Sequence, residues 1–279
     1  MQTIQEIDSR LIDSAGKKTM YVREGLILNP RVVASQEVGR TILPGRPYRV
    51  REHRIIRVIK GSVFLQVNLR KITIGAGMLA YVKAGAILEI MSFHPETEAM
   101  LMGFDAVSSP TTIRHSALIE LSAETEMLLS LIEAAVSKEP YRKEYVAHLV
   151  SALYSLVVSS DEDMRHSPRG RKEDLFNKFL ALVENTPHKQ SIPYFAEKLH
   201  VAPHYLSRVI SEVSGSSVME WVRRSIVLQA KVMLKNSDKS VLTISEELGF
   251  TTLPFFCRFF KTSTGYTPTE YRQSRDIAD

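Results

Sequence analysis

Short apolar runs, four to six residues long and separated by turns, fill most of the chain between residues 54 and 104. The turns hold glycine or polar residues, as in Lys60-Gly61-Ser62 and Gly75-Ala76-Gly77. Runs of this length that are rich in β-branched residues and closed by glycine turns predict an antiparallel β-barrel or sandwich. The predicted strands cover residues 54–59, 63–67, 71–74, 78–82, 87–91 and 99–104.

From residue 117 onward the apolar residues recur at helical spacing instead. Two stripes, one over residues 118–136 and one over residues 146–157, predict a helical pair within 117–160, and Ser122 resembles a helix start. Such a pair packs on its own domain or forms a two-fold dimer interface, and the pattern favours neither.

A change of composition follows the helical pair. Residues 159–172 are first acidic and then basic, contain proline and glycine, and hold no large aliphatic side chain except Met164. This text predicts a linker. The predicted α+β chain therefore has a β regulatory domain (1–116), a helical pair (117–160), a linker (161–172) and an all-α C-terminal domain (173–279).

The C-terminal domain contains two similar helix pairs, each with a tight turn. The first has helices over 192–199 and 204–213, and the second has helices over 243–248 and 254–261, with Gly249-Phe250 at its turn. Each pair has the pattern of a helix-turn-helix. An amphipathic helix over 220–235 joins them; at 1.5 Å per residue it would span about 24 Å, which can help to place two reading helices about one DNA turn, roughly 34 Å, apart.

The second helix of a helix-turn-helix enters the major groove, where its outward side chains reach bases and phosphates. The pattern therefore predicts DNA-binding residues on the outer face of each second helix. They are Pro203, His204, Tyr205, Ser207 and Arg208 in the first pair and Thr252, Leu253, Phe255, Arg258 and Lys261 in the second.

Bulk composition adds little to this interpretation. The net charge of +5, from 36 basic and 31 acidic residues, is too small to identify a nucleic-acid binder by itself. The single Cys257 cannot form an internal disulfide, and no run of about 18 apolar residues occurs, so we expect a cytoplasmic protein without a membrane segment.

Basic residues cluster around the first predicted strand of the β-domain. By period-two counting Arg49, Arg51 and Arg57 share one face, where they could bind an anionic effector such as a carboxylate. The alternative, which the pattern favours, is a solvated edge strand that its charges keep from pairing.

The turns of the β-domain are also reminiscent of a cupin-like barrel, but the sequence offers no metal site there. His53 stands without the further histidines of a three- or four-ligand set. Gly-x-Ser-x-Gly, Walker-type and His-Glu-x-x-His motifs are absent from the sequence. We therefore predict no enzyme, no cofactor and no metal, against the alternative of a cupin-type oxygenase or isomerase.

The end of the chain resembles a known family. Its motif residues are Gly249-Phe250, Phe256, Arg258, Phe260-Lys261, Gly265, Thr267-Pro268 and Tyr271-Arg272. Over residues 173–275 they resemble the AraC/XylS-type transcription regulators. The resemblance implies a sequence-specific regulator, more often an activator, that binds double-stranded DNA and contacts RNA polymerase. It also implies a homodimer or a small-molecule effector bound by the N-terminal half.

One position departs from that family pattern. The resemblance implies an arginine four residues before Ala230, but Ile226 stands there. The polar contact that holds the two helix pairs together is therefore predicted to be absent or rebuilt from Arg224. A non-specific nucleic-acid binder is the other alternative; it would show no preference among duplexes at matched salt.

Overall fold

The computed structural model describes residues 6–7, 20–33, 44–105, 117–166, 171–186 and 190–274. The chain divides into two compact units, with the boundary between residues 166 and 167. The strands of the first unit are β1 (Glu6–Ile7), β2 (Tyr21–Arg23), β3 (Leu26–Val33), β4 (Pro47–Val50), β5 (His53–Lys60), β6 (Ser62–Val67), β7 (Arg70–Gly75), β8 (Met78–Val82), β9 (Ile87–Phe93), β10 (Glu98–Phe104) and β11 (Ala117–Glu120). All six predicted strands are confirmed, to within two residues at each end.

The strands form two sheets, one in the order β1-β4-β9-β6-β7 and one in the order β11-β8-β5-β10-β3-β2. Neighbouring strands are antiparallel except β1 and β4, which pair in parallel. Among the described strands no ladder joins the two sheets, so of the predicted barrel or sandwich the first unit forms two separate sheets and not a closed barrel. The cupin likeness stays a prediction.

Alternation along β5 and β8 shows how the layers stack. Ile55 and Tyr81 point to one face, into a core shared with two helices. Ile56, Val58 and Ala80 point to the other face, into a core between the two sheets. Because successive strand residues face opposite sides, a strand buried on both faces reads as a continuous apolar run.

Two helices cover the six-stranded sheet: α1 (Ala123–Val136) and α2 (Lys143–His166). Ser122 caps α1, as expected, and its side chain accepts a hydrogen bond from the Thr125 amide at 3.1 Å. The predicted start of the helical pair at residue 117 is wrong, because residues 117–120 are β11, paired with β8. Periodicity cannot distinguish a four-residue strand from a helical turn. Here residues 117–120 form a strand because their backbone pairs with the open edge of β8.

The predicted linker, 161–172, is also corrected at both ends. Helix α2 continues to His166, and the next helix, α3, begins at Arg171. Charged residues do not by themselves end a helix, so their accumulation over 161–166 is a weak signal for a linker. The remaining linker residues, 167–170, lie outside the described part of the chain.

The second unit is all-helical. Its helices are α3 (Arg171–Glu184), α4 (Ile192–Lys198), α5 (Pro203–Ser214), α6 (Val218–Asn236), α7 (Val241–Glu247), α8 (Leu253–Thr264) and α9 (Pro268–Gln273). Phe179 of α3 packs against Phe195 of α4 with ring centroids 5.6 Å apart. Phe256 and Phe260 of α8 are fully buried. No helix within the described residues is long and apolar enough to cross a membrane.

Candidate nucleic-acid interface

The first helix-turn-helix consists of α4 and α5. Ser191 caps α4 by accepting a hydrogen bond from the Tyr194 amide at 3.4 Å. The turn places His200 at φ 55°, in the left-handed region, and the Val201 amide donates to the Ala196 carbonyl at 3.0 Å. Helix α5 then begins at Pro203, whose missing N–H has no partner to lose in the first helical turn.

The second helix-turn-helix, α7 and α8, is built in the same way. Ser240 caps α7 through the Thr243 amide at 3.0 Å. Gly249 holds the left-handed turn position, at φ 76°, that His200 holds in the first pair. A glycine reaches this conformation without the steric cost that a histidine bears. Helix α8 begins at Leu253, one residue before the predicted start.

The two pairs form a structural repeat. Ser191 and Ser240 are 49 residues apart, whereas Gly215 and Gly265, which end the second helices in the left-handed conformation, are 50 residues apart. The second turn is therefore one residue longer than the first. Counted along α5 and α8, Arg208 and Arg258 occupy equivalent positions.

Most of the DNA-binding residues predicted for the first pair are accessible on α5. Pro203, His204 and Arg208 are exposed, and Tyr205 and Ser207 are half-buried. The Arg208 guanidinium lies 5.4 Å from the Tyr205 ring centroid. The Ser207 hydroxyl donates to the Pro203 carbonyl at 3.0 Å, so it can donate to another group only by exchanging that bond, although its oxygen can still accept.

On α8 the exposed predicted residues are Phe255, Arg258 and Lys261, and Thr252 is exposed just before the helix. Leu253 is half-buried rather than fully outward. Phe255 is 46% exposed although an apolar ring normally avoids water. Within the described part of the chain, Arg258 forms no ion pair or side-chain hydrogen bond. A guanidinium without an internal partner is free to form bidentate bonds to a base edge or a phosphate.

A motif residue to which the sequence assigned no contacts connects α9 to the segment that leads into the second pair. Arg272 of α9 donates from Nε to the Leu234 carbonyl at 3.2 Å and from Nη2 to the Lys239 carbonyl at 2.6 Å. Leu234 lies in the last turn of α6, where carbonyls lack helical partners. The only sequence signal for this contact was the position of Arg272 in the family motif. Its partners could not be predicted, because they lie more than 30 residues away along the chain.

Arg224 does not take over the missing contact at Ile226. It donates to Glu220 at 2.8 Å and to Ser216 at 3.1 Å, and its guanidinium lies 4.6 Å from the Trp221 ring centroid. All these partners are at the α5–α6 junction, beside the first pair. Ile226 itself is buried in the core.

The predicted effector arginines do not share a face. Arg49 lies on β4 and donates to the Gly85 carbonyl at 2.8 Å, Arg51 is exposed between strands, and Arg57 lies on β5 and pairs with Glu126. The period-two count fails because the chain leaves the extended conformation at residues 51–52. The edge-strand alternative is wrong as well, since β4 and β5 each have a neighbour on both sides.

The first unit contains a cavity of about 610 Å³ between the β2–β3 turn, the end of β10 and the start of α2. Its floor is apolar, with Leu26, Phe104, Val146 and Val150, and none of the three predicted arginines lines it. The predicted effector site at those arginines stays a prediction.

His53 lies beside the core of the first unit. Its Nδ1 is 2.7 Å from the Tyr81 hydroxyl and 3.3 Å from the Ala84 amide nitrogen. Burial, and then the charge of Lys83, lower the pKa of His53 below its ordinary value. Among the described residues no group of three potential ligands could hold a metal ion.

Comparison with known proteins adds to this geometry. A helix-turn-helix domain profile matches residues 195–274. The chain is 32% identical over 78 residues to the regulatory protein PocR of Salmonella typhimurium, and 31% identical over 77 residues to the arabinose operon regulatory protein of Escherichia coli. Each match covers 28% of this chain and 26% of the relative.

The C-terminal region is an AraC/XylS-type helix-turn-helix domain. Over a longer stretch, the chain is 22% identical to YpdC, an uncharacterized HTH-type transcriptional regulator of Escherichia coli, over 86% of this chain and 80% of that one. The match to AdaA of Bacillus subtilis, a bifunctional transcriptional activator and DNA repair enzyme, covers 46% of AdaA. The chain thus spans between a quarter and a half of the length of its first curated relatives.

The solved structures found as similar to this chain include ToxT of Vibrio cholerae bound to an unsaturated fatty acid, at 16% identity over 92% of this chain and all of that one, with a TM-score of 0.41. The C-terminal domain of AraT, a response regulator of Geobacillus stearothermophilus, is 25% identical to this chain. That match covers 39% of this chain and 93% of the AraT domain, with a TM-score of 0.36.

Proposed function

We propose that the protein is a sequence-specific DNA-binding transcription regulator whose helices α5 and α8 enter successive major-groove segments of one duplex. The observation that carries the proposal is the repeat itself. Two helices, each started by a tight turn, carry an exposed arginine at the same position, Arg208 and Arg258. Arginine at such a position reads guanine through its O6 and N7 atoms.

The surrounding residues support entry by the first turns of α5 and α8. Both helices contain a proline in their first two positions, so fewer backbone N–H groups there need a partner. His204 and Phe255 are exposed beside the arginines and can contact a phosphate and a thymine methyl group respectively. Lys261 lies one turn further along α8, where a cation favours contact with phosphate.

The decisive experiment is selection of bound duplexes from a random pool by the full chain. The proposal expects two conserved segments about 10 base pairs apart, because the two helices approach one side of the duplex one helical turn apart. Recovery of sequences without any shared motif would instead indicate a non-specific binder. Recovery of one short segment would mean that only one of the two pairs reads bases.

Control through the N-terminal unit is the second part of the proposal. A small-molecule effector would bind in the cavity between β10 and α2. A second copy of the chain would bind to the exposed side of α1, where Met127 and Leu131 are 66% and 40% exposed. Repeating the selection with and without small-molecule extracts tests the first route. Sedimentation of wild-type protein against Met127→Glu tests the second.

We further propose that the protein activates transcription through RNA polymerase in the cytoplasm. Transcription in vitro from a promoter that carries the selected site tests this directly. Increased transcript in the presence of the protein supports activation, and decreased transcript assigns it as a repressor.

A further inference from the structure

An ion pair ties the start of α3 to the first recognition helix. Lys172, the second residue of α3, donates from Nζ to Glu212 Oε2 on α5 at 2.7 Å. Both side chains are about half exposed, at 52% and 44%. An exposed pair of this kind adds little to the stability of the fold, so stability alone does not explain its position beside the DNA-facing surface.

Glu212 is a carboxylate in an unfavourable place for a DNA-binding helix. It lies four residues after Arg208, and opposite charges at that spacing on a helix attract one another. The Lys172 hydrogen bond, followed by the charges of Lys172 and Arg208, lowers the pKa of Glu212. The carboxylate is therefore ionised at neutral pH and able either to bind Arg208 or to repel a nearby phosphate.

In the observed arrangement Glu212 does not pair with Arg208. Its carboxylate is held by Lys172, and the Arg208 guanidinium lies instead against the ring of Tyr205, one turn earlier on the helix. Lys172 is also near enough to Arg208 for their two positive charges to act on one another.

The second helix pair shows what happens without a carboxylate. Along the repeat, Thr262 of α8 stands where Glu212 stands on α5, so Arg258 has no competing acid four residues later on its own helix. The pair that carries the acid is thus the one supplied with a lysine from a neighbouring helix.

We propose that Lys172 is a positioning residue for DNA recognition by the first pair, because by pairing with Glu212 it keeps that carboxylate away from Arg208 and from the DNA phosphates. This inference rests on the proposed function. It makes the DNA affinity of the first pair depend on the first turn of α3, which is the first helix after the chain passes from one unit to the other.

The test is a double-mutant cycle on the full chain, with the duplex that wild-type protein selects. Lys172→Ala should weaken binding by about two- to fivefold, the range expected for one exposed charge interaction. It should also weaken the preference at the base pair that depends on Arg208. Glu212→Gln should bind as tightly as wild type or more tightly, since it removes the competitor. In the Glu212→Gln background, Lys172→Ala should have less than about a twofold effect.

Two further variants serve as matched controls. Lys178 is an exposed lysine of the same helix and pairs with Asp174 of that helix at 2.7 Å instead of with Glu212, so Lys178→Ala should leave affinity unchanged. Thr262→Glu puts an unpaired acid at the equivalent place on α8 and should weaken binding as Lys172→Ala does.

Three results would overturn the inference while leaving the proposed function intact. An equal loss from Lys172→Ala in both backgrounds would mean that Lys172 itself contacts DNA. A loss from Glu212→Gln as large as that from Lys172→Ala would mean that the pair only fastens α3 to α5. If wild-type protein selects no duplex, the proposed function itself is wrong, whereas selection by wild type with unchanged binding of Lys172→Ala refutes only the role of Lys172.

Discussion

Arg272 is expected to hold the second helix-turn-helix in place, so its removal should loosen α7 and α8 more than α4 and α5. The side chain is half-buried and makes two hydrogen bonds, one to the last turn of α6 and one to the turn before α7. It therefore connects α9 to the end of α6 and to the turn before α7, which are the two ends of the short segment that leads into the second pair. Arg272→Met keeps most of the aliphatic stem and removes both donors.

The magnitude follows from those two bonds. A hydrogen bond from a charged donor contributes about 1.5–3 kcal/mol net, and the lower value suits a half-exposed group, which gives about 3 kcal/mol for two. Water can reach the released carbonyls and recover part of this, so we expect a loss of about 2 kcal/mol. That loss corresponds to about a 30-fold increase in the population of the locally opened state.

Amide hydrogen exchange followed by mass spectrometry measures this opening region by region, without assuming that two units unfold together. Peptides from α7 and α8 should exchange about 30-fold faster in Arg272→Met, and about fivefold faster in Arg272→Lys, which can keep one bond. Gln273→Ala, an exposed neighbour, is the control and should change nothing. Acceleration below about threefold, or an equal effect in α4 and α5, would refute the role of Arg272.

Four other substitutions test the interface and the first unit. Arg258→Ala should lose about 1–3 kcal/mol of affinity for the selected duplex and relax its preference at one base pair. Arg208→Ala should do the same at a base pair about ten base pairs away. Titrations with base-substituted duplexes measure this, and an equal loss of affinity for all duplexes would contradict it. Lys261→Ala should weaken all duplexes alike and lower the salt slope of binding by about one unit, so a sequence-selective loss would argue against a phosphate contact. Burial lowers the pKa of His53 in the folded chain below its ordinary value of 6.5. As the pH falls, the unfolded chain therefore takes up the proton before the folded chain does. The stability that neutral His53 contributes is complete above pH 6.5 and is lost as the pH falls from there through the lowered pKa. In urea titrations His53→Asn should reduce this acid loss, and an unchanged pH dependence would exclude His53 as its cause.

The repeat also bears on how the domain discriminates between DNA sites. Equivalent arginines on α5 and α8 predict that a similar base pair recurs in the two segments of the operator. The neighbouring positions differ, since Glu212 and Thr262 are not alike, and neither are Ser211 and Lys261. We therefore expect the second pair to contribute more of the salt-dependent affinity.

Much of the secondary structure could be read from the sequence by itself. The strands between residues 54 and 104 were predictable because both faces of β5 and β8 are buried and glycine turns mark their ends. The helices of the second unit were predictable because Ser191, Ser240 and Gly215 give local signals at helix ends that depend on backbone hydrogen bonds to near neighbours. The exposed positions of Arg208 and Arg258 followed from helical periodicity.

The tertiary structure decided what local patterns could not. Residues 117–120 became a strand because β8 offered an unpaired edge, and the Arg49–Arg57 count failed because a bend separates two strands of different sheets. Lys172 and Arg272 contact partners about 40 residues away, Glu212 and Leu234, which no local pattern indicates. Periodicity reports which face of an element is apolar, but only the packing of whole elements brings distant charges and carbonyls together.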